Sequence, residues 1–191
     1  FDKGANAAFP PEKITSPLGK VLADSRKKQY HIAETEKYAH VTYFFNGLKD
    51  QPLANEYRVL IPSKGLAHPD EHPEMMASEI TTRIIQAIED GEMDFILANY
   101  ANADVIAHTG NYDAAIQAVR TLDEELNKLI KTVLNHDNVF LIITSDHGNI
   151  EQMTDPRTGL PEAKHNTSPV PIYLVAKEFE KNKTPEIISQ G

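Results

Sequence analysis

Asp104 and His108 stand four residues apart, Asp146 and His147 stand side by side, and His165 lies in a third segment. Carboxylates and imidazoles are the donors that a hard or borderline divalent cation takes from a protein. The spacing of the first pair would put both side chains on one face of a helical turn, about 5–6 Å apart at Cβ. Taken alone, that pair reads first as an N-capping Asp and a solvated His. Asp146-His147-Gly148-Asn149 is a stronger signal. Adjacent ligands point different ways unless the chain turns, and Gly148 permits the turn. The plainer alternative is a type I turn opened by Asp. His165 gains its interest from the segment Lys164-His165-Asn166-Thr167-Ser168-Pro169-Val170-Pro171. The two prolines would stiffen the approach to the next strand and fix the imidazole. Lys37 lies beside Glu34 and Glu36. It is either a cation aimed at a phosphoryl oxygen or half of a surface ion pair. His31, His40, His68, His72 and His136 have no comparable context, and no role is assigned to them.

These segments need elements to hold them. Asp104 and His108 follow the apolar run Phe95-Ile96-Leu97-Ala98, within a strand expected over 93–100. Asp146 follows a strand expected over 139–144, and His165 precedes one at 171–175. Further strands are predicted at 29–33, just ahead of Lys37, and at 57–61, where Pro62 stops the run. Residues 38–45 form an apolar stretch that is either helix or strand. Leu18 to Arg26 reads as a short helix. Met75, Ile80, Ile84, Ile85 and Ile88 recur at helical spacing, and Gly91 ends that helix. A longer helix over 112–135 puts Ala115, Val119, Leu122, Leu126, Leu129 and Val133 on one face. The Asn99-Tyr100-Ala101-Asn102 run looks too polar for a core. Strands alternating with helices predict an α/β fold, with a mostly parallel sheet covered on both faces. Ligands of such sheets bind in the crevice outside the carboxyl ends of the strands.

The composition narrows the function. A chain of 191 residues that is 40% hydrophobic and 25% charged can build one substantial core. A net charge of −9 argues against nucleic acid as a partner. It leaves room for a phosphorylated substrate, because bound cations reverse the local field. Without Cys there is no thiolate site and no disulfide, which fits the cytoplasm. No apolar run approaches the ~20 residues that span a bilayer, so no membrane partner is expected. Residues 1–17 read as a linker or arm. Phe1-Asp2-Lys3-Gly4 has neither an initiator Met nor a signal-peptide core, so the chain is expected to be a fragment.

Four segments in register resemble the cofactor-independent phosphoglycerate mutase family of the alkaline phosphatase superfamily. They are Ala33-Glu34-Thr35-Glu36-Lys37-Tyr38-Ala39-His40-Val41-Thr42, Asn99 through Asp104 to His108-Thr109-Gly110, Ser145-Asp146-His147-Gly148-Asn149, and His165 through Pro171. The likeness runs from about Ala8 to Val175. It implies an alkaline-phosphatase-like three-layer sandwich, with residues 18–191 as the C-terminal portion of its metal-binding domain. It also implies that the 3-phosphoglycerate and 2-phosphoglycerate forms are interconverted through a phosphoserine. Asp104, His108 and His165 would hold one metal, Asp146 and His147 would supply part of a second metal's shell, and Lys37 would stabilise the transferred phosphoryl group. Two divalent ions are implied, manganese first, with zinc, cobalt or magnesium as alternatives. The full-length protein would be monomeric. Several features depart from the family pattern. The N-terminal segment with its nucleophilic Ser and the inserted transferase domain are missing. Gly47-Leu48 stands where the family has Gly-Gly, and the residues before Pro73 are unusual. The chain alone is therefore expected to be inactive and to need the remainder of its own polypeptide. The alternatives are a phosphatase or phosphopentomutase of the same superfamily, or a non-catalytic metal-binding module.

Overall fold

In the computed structural model, residues 14–64, 67–162 and 164–181 are described, so most of the expected N-terminal arm lies outside them. Three strands form a parallel sheet in the order β2-β1-β3: β1 is Gln29–Glu34, β2 is Glu56–Ile61 and β3 is Phe95–Asn99. The register pairs Ala33 with both Leu60 and Asn99, so all three carboxyl ends finish level on one side. As the middle strand, β1 is covered on both faces and is buried almost throughout rather than alternately.

The two faces of β1 carry different chemistry. One face is aliphatic. Ile32 and Ile61 pack against Ile80 and Ile84 of α2 (Ala77–Asp90) and Leu129 of α4 (Tyr112–Leu134). Gly91 ends α2 in the left-handed region at φ 63°, as its position predicts. Met75 does not join that helix: its φ is 43°, and it packs instead with Ile106 and Met153. The opposite face is polar and lies under α1 (Leu18–Asp24) and a π-helical turn at His40–Phe44. That turn resolves the ambiguous stretch 38–45. Gln29 Nε2 donates to Gly19 O at 3.0 Å, and His31 Nδ1 donates to Val41 O at 2.7 Å. Glu56 accepts from Asn46 Nδ2 and Leu53 N–H, both at 2.8 Å, and from Arg58 Nε at 2.5 Å. Burial pushes the His31 imidazole below its ordinary pKa, against the opposing pull of Glu56. Burial alone would raise Glu56, but its three donors outweigh that and hold it low.

In α4, Asn111 caps the N-terminus by accepting the Ala114 N–H at 3.2 Å. Its buried stripe runs through Ala114, Ala115, Ala118, Leu129 and Val133. Val119, expected on that face, is exposed, because the small Ala114 and Ala118 form the seam against α3 (Asn102–Ala107) instead. The supposedly polar run at 99–102 is also partly core. Ala101 and Asn102 are fully buried, with Asn102 donating to Pro73 O at 2.8 Å. The Tyr100 hydroxyl bonds Thr81 Oγ1 at 2.8 Å, and burial pushes its pKa up to about 12.

The last two strands are arranged differently from the first three. β4 (Leu141–Thr144) and β5 (Ile172–Val175) pair with each other, antiparallel, as a separate two-stranded ribbon. Ile142, Ile172, Tyr173 and Leu174 are all more than half exposed. Leu141 joins the aliphatic core and ties the ribbon to the sheet. Among the described residues, no helix is long and apolar enough to cross a membrane.

Candidate metal centre

The level ends of the parallel strands set up the site. β1 runs straight into a 3-10 turn, Thr35–Lys37, that carries Lys37. β3 is followed closely by α3, whose first turn carries Asp104 and whose C-terminal cap is His108. The four-residue spacing does what the helix dictates: Asp104 Oδ1 and His108 Nε2 lie 3.1 Å apart. The ribbon brings the remaining groups. His147 follows β4 and His165 comes shortly before β5. Their rings stack with centroids 3.7 Å apart at 22°.

Asp104 is the hub. His165 Nε2 lies 3.1 Å from its Oδ1, and His108 Nε2 lies 3.0 Å from His165 Nε2. His147 Nε2 is farther, at 4.0 Å. The other carboxylate oxygen of Asp104 takes an ion pair from Lys37. Lys37 is buried, so the surface-pair reading with Glu34 or Glu36 does not describe it. Burial by itself would raise the Asp104 carboxyl. Hydrogen bonds from Lys37 and Asn149, with the Lys37 charge, overcome that and hold it well below the usual carboxylate range. It therefore stays an anion at any working pH. Asp146 stands at the rim, half exposed, 3.6 Å from His147 Nε2.

These donors fit a divalent ion. The atoms Asp104 Oδ1, His108 Nε2 and His165 Nε2 form a nearly equilateral triangle with edges of 3.0–3.1 Å. An ion with bonds of about 2.0–2.2 Å separates neighbouring octahedral ligands by about 3.0 Å. Asp104, His147 and His165 also offer ligand atoms that all lie within 4.8 Å of one another. The set contains only oxygen and imidazole nitrogen, donors that a hard or borderline divalent ion takes.

One close contributor carries no role in the sequence reading. Asn149 is almost fully buried, and its Nδ2 donates to Asp104 Oδ1 at 2.9 Å. Its place directly after the Asp-His-Gly turn was the only available signal, and spacing alone does not say which loop amide turns inward. A cleft lined by Glu34, Glu36, Ser63, Lys64 and Val105 shares the turn after β1 and α3 with the site. Glu34 is buried there, and burial raises its carboxyl while the Ser63 hydroxyl, donating at 2.9 Å, partly offsets this.

Known proteins bear out the resemblance. The chain is 49% identical over 171 residues to a 2,3-bisphosphoglycerate-independent phosphoglycerate mutase of Francisella philomiragia, covering 89% of this chain and 33% of that one. It is 46% identical over 184 residues to the Clostridium novyi mutase of the same name, covering 96% of this chain and 36% of that one. It thus spans about a third of the length of the curated relatives it matches. In structure it is similar to Leishmania mexicana phosphoglycerate mutase, solved at low cobalt concentration. The TM-score is 0.77 at 32% identity, over 82% of this chain and 30% of that one. The family model described as the Metalloenzyme superfamily matches residues 5–189. That match takes in every segment contributing to the carboxylate–imidazole cluster, and the chain belongs to the metalloenzyme superfamily.

Proposed function

We propose that this chain is the metal-binding portion of a longer enzyme that interconverts 3-phosphoglycerate and 2-phosphoglycerate by phosphoryl transfer. The observation that carries the reading is the triangle of Asp104, His108 and His165 with the Lys37 ammonium beside it. Asp104, His108 and His165 would hold one divalent ion, and Asp146 with His147 would supply part of the shell of a second. Manganese is the first choice, since carboxylate and imidazole donors suit it. Such ions, when bound, polarise phosphoryl oxygens and lower the pKa of a coordinated hydroxyl. Lys37 supplies a fixed positive charge for the equatorial oxygens of a phosphoryl group in transit. Its burial strengthens that charge by excluding water. The ion pair with Asp104 orients the Lys37 side chain. The nucleophilic Ser and the groups that hold the glycerate would come from the remainder of the polypeptide, so this chain alone turns over no phosphoglycerate. The full-length protein would work as a cytoplasmic monomer.

A calorimetric titration of this chain with Mn2+, with His108→Ala as control, tests the centre. Saturable binding that the substitution abolishes is the expected result; binding unchanged in His108→Ala would remove the triad from the reading. The mutase assignment is tested in the full-length protein with a coupled phosphoglycerate assay. Lys37→Ala should lower turnover by about 10²–10³-fold, the usual cost of deleting one group that stabilises transition-state charge.

A further inference from the structure

The loops bearing His147 and His165 come from distant parts of the sequence, and something must align them. Gly148 O accepts the Asn166 N–H at 2.9 Å, and the two residues form an isolated antiparallel bridge. This single rung joins the residue after His147 to the residue after His165. Two side chains close over Gly148 from outside. A Cβ on Gly148 would collide with both Asn166 Oδ1 and Glu151 Oε1. Glu151 Oε2 accepts the Asn149 N–H at 2.8 Å, and Asn166 Oδ1 accepts the Ser168 N–H at 2.8 Å. Two residues beyond Glu151, the buried Met153 anchors the loop in the core with Ile106 and Ala118.

We propose that Glu151 is a positioning residue. Its carboxylate holds the 147–149 loop by the Asn149 N–H and packs over Gly148 beside Asn166, where the Gly148–Asn166 rung joins the two loops, and Asn149 transmits that alignment to Asp104. Fixing the Asn149 N–H orients the residue so that its buried amide reaches Asp104 Oδ1 at 2.9 Å. Outer hydrogen bonds of this kind set the direction of a ligand's lone pair before an ion arrives. A carboxylate suits the task because it accepts several donors at once and, with no proton of its own to place, imposes no donor on its neighbours. Glu151 touches neither Asp104 nor any imidazole in the contacts described, so its influence runs through Asn149 and the Gly148–Asn166 rung. The inference rests on the proposed metal centre for its effect on the ion, but the clasp itself stands or falls without one.

The test uses the 191-residue chain, Mn2+ as probe, and two readouts. The first is Mn2+ affinity in wild type, Glu151→Ala, Glu151→Gln and Asn149→Ala. Loss of about 10–100-fold is expected in both alanine variants. Partial recovery is expected in Glu151→Gln, whose carbonyl can still accept the Asn149 N–H. The second readout is hydrogen exchange of the Asn166 amide in EDTA. Glu151→Ala should speed that exchange while the amides of β1 and β3 and the melting temperature stay as in wild type. Wild-type affinity in Glu151→Ala, or an indifferent Asn166 amide, would overturn the proposal. So would faster exchange spread evenly over the whole sheet, because that is general destabilisation. If wild type takes up no Mn2+ while the Asn166 amide still responds, the clasp is upheld and the metal reading fails.

Discussion

The parallel sheet and the β4–β5 ribbon are made from similar residues and meet opposite fates. At the sheet, Ile32 of β1 and Ile80 of the overlying α2 are fully buried between layers. In the ribbon, Ile142, Ile172 and Leu174 show more than half of their surface. The sheet meets its own packing needs within the described residues, whereas the ribbon is held by Leu141, by its own ladder and by the contacts around the site. The candidate metal centre straddles this divide. Lys37, Asp104 and His108 belong to the packed half, and Asp146, His147 and His165 to the exposed half. A site shared in this way depends on how firmly the weaker half docks, and an ion held by both halves would fasten them.

The largest effect that separates the two halves is a core truncation. Ile80→Ala should cost about 2–5 kcal/mol, while Ile172→Ala in the same chain should stay within about 0.5 kcal/mol. Urea denaturation of both variants measures this, and equal losses would mean the ribbon is as tightly packed as the sheet. Next in size is the effect of an ion. At a Mn2+ concentration 100 times its Kd, the chain should gain about 2.7 kcal/mol. The added amide protection should concentrate at 141–149 and 164–175, with little change in β1. Uniform protection would argue that the two halves already form one cooperative unit. His165→Ala should cancel the gain.

Much of this was legible in the sequence, and what was not has physical causes. Both long helices showed themselves through apolar periodicity, because each buries a defined face, whereas β1, β2 and β3 showed themselves as short runs rather than by alternation. The Asp104–His108 pair was readable because helix geometry converts a spacing of four into proximity. The pairing of β4 with β5 was not, since a short apolar run does not name its partner. Val119 and Ala118 exchanged places because the seam against α3 admits only small side chains. Met75 fell outside α2 although it matched the period, because its backbone turns to φ 43°. Asn149 was invisible for the reason that most amides are: any one of several polar loop residues could have turned inward. His31 looked idle and is instead fully buried in a polar layer.

That layer supplies the smallest and sharpest prediction. Burial lowers the folded-state pKa of His31 beneath its ordinary value of about 6.5. The folded protein therefore prefers the neutral ring, and the unfolded chain takes up the proton first. The His31 contribution to stability is complete above pH ~6.5 and is lost progressively as pH falls below that. Glu56 and Arg58 face the ring and act in opposite directions, Glu56 raising and Arg58 lowering its pKa. His31→Gln cannot titrate, so its stability curve should be flatter just below pH 6.5, whatever its absolute stability. A slope identical to wild type would show that other groups set the acid limit.

The polar layer has a further consequence for how the chain finds its one arrangement. A strand buried on both faces by greasy neighbours alone could slide along its partners and still satisfy them. β1 cannot. A slip of one residue would carry Gln29 and His31 into the aliphatic layer, away from Gly19 O and Val41 O, and would thrust Tyr30 and Ile32 toward Glu56 and Asn46. Any slip by an odd number of residues leaves polar atoms stranded on one side and aliphatic carbon against carboxylate on the other. The layer thus works as a key cut on one edge of the strand. Because Lys37 follows β1 by only three residues, the teeth of that key also fix where the ammonium comes to rest.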